Sequence, residues 1–129
     1  MNAFLGKASP ALLSILRIVT GFLFIQHGTQ KWLLFPGGTA RATVDNLGGI
    51  AGLFELVGGA LIVVGLFTRP VAFVLSGVMA FAYFIAHAPQ GFWTILNKGE
   101  LAVLYCFVFL YLAAAGAGPL SLDRIMRRA

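Results

Sequence analysis

Four long apolar runs separated by short polar segments dominate the sequence, over residues 11–34, 48–67, 71–87 and 101–116. Each is roughly 16–24 residues, enough at ~1.5 Å per residue to cross most or all of a ~30 Å hydrocarbon core. Backbone polar groups in lipid must be satisfied within the segment or around a closed barrel, and no alternating ten-residue strands are visible, so the runs predict helices. The joints carry turn chemistry. Phe35, Pro36, Gly37 and Gly38 end the first run and open a polar loop. Thr68, Arg69 and Pro70 predict a tight turn with Pro70 starting the third helix. Ala88, Pro89, Gln90 and Gly91 end the third run, and Gly116, Ala117, Gly118 and Pro119 end the fourth, ahead of a short basic tail. The expected architecture is all-α: one domain over residues 1–129, a polytopic four-transmembrane-helix bundle.

Composition strengthens this reading. Of 129 residues, 60% are hydrophobic and only 10% charged, with a mean hydropathy of +0.93. A soluble domain carries roughly a quarter charged residues. The surplus apolar surface therefore faces a lipid bilayer. The net charge of +5 comes without a basic stripe on a polar scaffold, which argues against nucleic acid as a partner. Cys106, the single cysteine, excludes an internal disulfide and any CxxC motif. Lys7 ahead of an apolar run resembles a signal peptide, but the run is too long for an h-region and lacks a small-residue cleavage site, so it reads as a retained helix. Lys7, Arg17, Arg69, Arg124, Arg127 and Arg128 fall on one side of the predicted spans, and Lys31, Arg41 and Lys98 on the other. Positive-inside then predicts both termini in the cytoplasm, N-in/C-in.

Ionisable residues inside apolar spans mark candidate sites. The second helix carries Glu55 within a stripe of Gly48, Ala51, Gly52, Gly58, Gly59 and Ile62, small residues spaced to let two backbones approach. Alternating helix directions bring His27, Glu55, His87 and Glu100 to the same outer half, with Lys31 and Asn97 as polar company. Glu55 needs a partner, for which His27, Lys31 or a shared proton serves. His27, Glu55 and Glu100 are expected to line one outward-opening pocket, Glu100 sharing its face with Phe107 and Tyr111. Trp32 and Trp93 fit an outer aromatic belt. On the inner side Arg17 is expected to snorkel, and Asp123 to tie the tail to the bundle by pairing with Arg17 or Arg69. Three chemistries fit the outer cluster. A metal site has two His and two Glu available but lacks the Glu-x-x-His pairs of di-iron bundles. Haem ligation by His27 and His87 rests on residue type alone. A proton-coupled pocket for a quinone-like carrier asks least: an acid/base group, apolar walls, and rings such as Phe22, Tyr83, Phe84 and Trp93. Metal and haem are the less favoured of the three.

Several segments, taken in order, resemble the DoxX family of small four-helix membrane proteins. They are Arg17, Gly21, Phe22, His27, Gly28 and Lys31 in the first helix, and Glu55, Gly58, Gly59, Gly65, Thr68 and Arg69 around the second. Asn97, Lys98, Gly99 and Glu100 open the fourth, and Gly116, Gly118, Ser121, Leu122 and Asp123 close the chain. Lys98 stands where many members have a second glycine. The resemblance implies a multi-pass protein of a bacterial-type cytoplasmic (inner) membrane, linked to redox metabolism. Related chains form the membrane subunit of thiosulfate:quinone oxidoreductase, so the implied role is an accessory or quinone-interacting subunit beside a soluble or membrane oxidoreductase. The competing expectation is a non-catalytic scaffold or small-molecule permease whose buried charges pair for packing, with homo-oligomers compatible with either. No nucleotide loop, Ser/His/Asp arrangement or HExxH occurs, which argues against stand-alone catalysis on a soluble substrate.

Overall fold

The computed structural model describes residues 1–38 and 41–126, and every regular element among them is helical. α1 (Asn2–Leu33) is 32 residues long. It begins well before residue 11, because Ala3, Leu5, Lys7 and Ala8 are good helix formers and Pro10 forfeits one ladder bond without ending the helix. α2 (Leu47–Val64) starts where the Asn46 side chain accepts from Gly49 N at 2.7 Å. It stops at Gly65, whose φ of 70° lets its N–H reach back to Leu61 and Ile62.

α3 (Thr68–Ala82) starts two residues ahead of Pro70, so the turn falls on Leu66 and Phe67 rather than on Thr68, Arg69 and Pro70. Pro70 lies in the first helical turn, where a missing N–H has no intrahelical partner to lose. A π-helical turn (Tyr83–His87) and a 3-10 turn (Ala88–Gln90) prolong α3. α4 (Thr94–Asn97), in a stretch expected to be a plain connection, precedes α5 (Glu100–Ala115), and α6 (Leu122–Ile125) lies in the tail. Arg127 and Arg128 lie outside the described residues.

Among the described residues, three helical stretches are long and apolar enough to cross a membrane: Asn2–Leu33, Leu47–Val64 and Thr68–Gln90. α5 is apolar but only 16 residues, about 24 Å. α1 lies along α2, and α3 along α5. The first pair is held by glycine. A Cβ on Gly28 would stand 2.7 Å from Leu56 N, one on Gly59 2.9 Å from Ile25 Cβ, and one on Gly52 2.8 Å from the Trp32 ring. The pairs join where α2 meets α3, with Gly58 under Leu75, and through the rings of Phe24, Tyr105 and Phe109. Phe24 contacts Tyr105 at 5.2 Å and Phe109 at 4.9 Å, both edge to face, a favourable ring geometry.

At the opposite end of the bundle from Lys31 and Glu55, the tail is built into the fold. Arg17 does not snorkel: it is fully buried and donates to carbonyls. Nε reaches Ile62 O at 2.9 Å and Nη2 reaches Leu120 O at 2.6 Å and Val63 O at 3.4 Å, while Nη1 donates to Ala117 O. One guanidinium thus satisfies carbonyls in the last turn of α2 and in the folded-back tail, a cation where the α2 dipole favours one. Asp123 accepts from Phe67 N and Thr68 N, both at 2.8 Å, which places a carboxylate at the N-terminus of α3. Its own N–H bonds Gly65 O at 2.9 Å.

Candidate functional site

The opposite end of the bundle carries the polar cluster. α1 and α2 run antiparallel in a register that sets Lys31 beside Glu55, and Lys31 Nζ donates to Glu55 Oε1 at 2.9 Å. The Glu55 side chain is 7% exposed and that of Lys31 36%, so the carboxylate is buried while the ammonium keeps one side open. This pair borders a cavity of about 770 Å³ among α1, α2, α3 and α5. His27, Lys31, Glu55, His87, Lys98 and Tyr105 supply its polar wall. The rest is apolar, with Phe24, Phe54, Met79 and Phe81 among the lining residues.

The His27, Tyr105 and His87 rings are held by neighbours. The His27 ring stands perpendicular to Tyr105 with centroids 6.1 Å apart, and Tyr105 stacks on Phe109 at 5.8 Å. His87 ends the π turn, where the wider backbone turn re-aims its ring toward Asn97. Its Nδ1 lies 2.9 Å from Asn97 O. A carbonyl only accepts, so Nδ1 carries the proton, and Nε2 is an acceptor while the ring is neutral. Asn97 is fully buried and closes the loop. It donates to Tyr83 Oη at 3.1 Å and Gly91 O at 2.9 Å, and accepts from Gly99 N at 2.8 Å. Asn97 therefore positions His87 and Lys98 rather than facing the cavity itself.

Glu100 is exposed and is not among the residues lining the cavity. The face it was expected to share, Phe107 and Tyr111, is 63% and 57% exposed. α5 turns Tyr105, Phe109 and Leu112 inward instead. The expected ring walls also differ. Phe22, Phe84 and Trp93 are exposed, and Tyr83 is taken up by the Asn97 loop. Phe24 and Tyr105 stand in their place, and the signal for Phe24 was its α1 phase with Thr20 and His27. Among the described residues, no three His, Cys, Asp or Glu side chains converge as a metal site would need.

These features define a helical membrane protein with a polar-headed, apolar-walled cavity at one end. The DoxX family model matches residues 12–88, more than half the sequence, and the chain belongs to the DoxX family. It is 48% identical over 126 residues to an uncharacterized protein of Haemophilus influenzae, covering 92% of this chain and 93% of that one. It is 33% identical to the inner membrane protein YphA of Escherichia coli, again over 92% and 93%. An uncharacterized membrane protein of Mycobacterium tuberculosis is 26% identical, over 92% of this chain and 83% of its own. No solved structure matches.

Proposed function

We propose that this protein is a four-span, inner-membrane, quinone-interacting component of a redox system, with the cavity beside Lys31 and Glu55 as its binding site. The observation that carries the reading is the cavity itself: a buried carboxylate held by a half-open lysine, with His27 on the same wall and hydrocarbon on the others. A quinone head group presents carbonyl oxygens, which the lysine and histidine N–H groups can meet, while its ring suits walls that include Phe24 and Phe54. His27 and the Lys31–Glu55 pair can also hold or pass the protons that accompany quinone reduction. Electrons would come from a partner oxidoreductase that delivers them to the bound quinone. Inner-membrane placement draws on the likeness to the Escherichia coli inner membrane protein YphA.

Topology follows from charge. Because Arg17 is buried, it drops out of the count of flanking cations, which leaves Lys7, Arg69, Arg124, Arg127 and Arg128 against Lys31, Arg41 and Lys98. The excess still favours cytoplasmic termini and an outward-facing cavity, with α5 as a short fourth span. Thiol labelling of single cysteines introduced at Asn2 and Arg124 is expected only after the membrane is breached. Labelling of either in intact cells would reverse the topology.

The binding reading is tested by titrating purified protein with ubiquinone-1 and following tryptophan fluorescence. Glu55→Gln and His27→Ala are each expected to weaken binding by about tenfold, the loss of one charge-assisted or buried hydrogen bond. Wild-type affinity in both variants would refute the site. A Soret band in the purified protein would replace the quinone by haem.

A further inference from the structure

A second cavity, of about 430 Å³, runs between α2 and α3 and is lined wholly by apolar side chains and Pro70 and Gly58. It shares Phe54 with the polar cavity, so the two spaces are neighbours along the same pair of helices. The polar one begins at Leu47, and the apolar one ends beside Leu61 and Pro70. From residue 47 to residue 61 the helix rises about 21 Å, some two thirds of a ~30 Å hydrocarbon core. The two linings meet around residues 53–55 of α2, and polarity changes from there: Lys31, Glu55 and both histidines border the polar cavity, and Leu61, Pro70, Val71 and Val74 line the far end of the apolar one. Both spaces also reach the lipid-facing side. Ile50, Phe54 and Val57 on α2, Val74 and Phe81 on α3, and Ile85 in the π turn are all at least 40% exposed.

We infer that the two cavities form one site for a long-tailed amphiphile, whose polar head enters the Lys31–Glu55 cavity while its tail lies in the α2–α3 groove. The ligand class is thereby narrowed from a lipophilic small molecule to an isoprenoid-tailed carrier that enters sideways from the bilayer. This rests on the quinone reading of the polar cavity. The groove favours a tail because an unfilled apolar recess forfeits dispersion contacts that a flexible chain restores. A tail anchored by its own head loses less freedom on entering than a free acyl chain does.

The test compares ubiquinone-1 with ubiquinone-4 on protein in detergent. Val57→Trp and Val74→Trp fill the groove without touching Lys31, Glu55 or His27. Each is expected to weaken ubiquinone-4 by about tenfold and leave ubiquinone-1 within twofold. Phe73→Trp, on an exposed position outside both linings, is expected to change neither. If ubiquinone-1 binds and the groove variants affect both probes alike, the tail assignment is overturned while the polar site stands. Displacement of ubiquinone-4 by excess phosphatidylethanolamine, with ubiquinone-1 retained, would make the groove an ordinary lipid contact and overturns it too. A wild-type protein that binds neither probe overturns both.

Discussion

Arg17→Ala is expected to cost about 3 kcal/mol or more, since it removes a large buried side chain and strips donors from buried carbonyls, and to lower the midpoint of thermal unfolding in detergent by about 10 °C or more. The guanidinium is completely enclosed and serves the carbonyls of Ile62, Val63, Ala117 and Leu120. Alanine leaves Val63 O and Leu120 O without the donor they have here, each at about 1–3 kcal/mol before relaxation, while Ile62 O keeps Gly65 N–H and Ala117 O keeps the Ser14 hydroxyl. It also frees the tail, since two of the four carbonyls belong to it. Arg17→Lys is expected to recover only part of the loss. A compact ammonium cannot span the end of α2 and the tail at once, as the planar fork does. Variants that unfold within about 2 °C of the wild type would show that the tail is held without this residue.

The second large effect is expected at the α1–α2 seam. In Gly28→Val, the new Cβ would meet Leu56 N at 2.7 Å and Gly52 O at 2.8 Å, both backbone atoms that cannot swing aside. The helices must separate, at about 1–3 kcal/mol, as for other overpacked sites. Separation would stretch the neighbouring Lys31–Glu55 contact, so the proposed quinone binding is expected to fall together with stability. Gly6→Val is the control. Nothing lies within 4 Å of a Cβ there, and its stability is expected to stay within about 0.5 kcal/mol of the wild type. Equal melting temperatures for the two variants would mean that α1 and α2 are not packed glycine against backbone.

Residues differed in how plainly the sequence spoke for them. The apolar runs were legible because hydrocarbon thickness fixes span length, and Gly116 marked the end of the fourth, but the second joint was read at Thr68, Arg69 and Pro70 while Gly65 already ends α2. Glu55 was legible as a paired residue: a carboxylate in a stripe of glycines faces another helix, and its partner proved to be Lys31. Rotation was the harder problem. α5 is apolar on every face, so no polar side marks its outside, and Glu100 was assigned with Phe107 and Tyr111 to a face that points outward. Arg17 was expected to snorkel, and its burial depends on a tail that folds back from about a hundred residues away, which no local pattern announces. The π turn that aims His87 has no sequence signature either.

The most direct test of the central claim, that the cavity beside Lys31 and Glu55 holds a quinone, is photolabelling of the purified protein with a ring-azido ubiquinone, followed by peptide mapping. The label is expected on residues that line the polar cavity, above all Phe24, His27, Phe54 and Tyr105, with protection by excess ubiquinone-4 and loss in Glu55→Gln. Label spread over exposed positions such as Phe22, Phe84 and Phe107, unaffected by competitor, would contradict it.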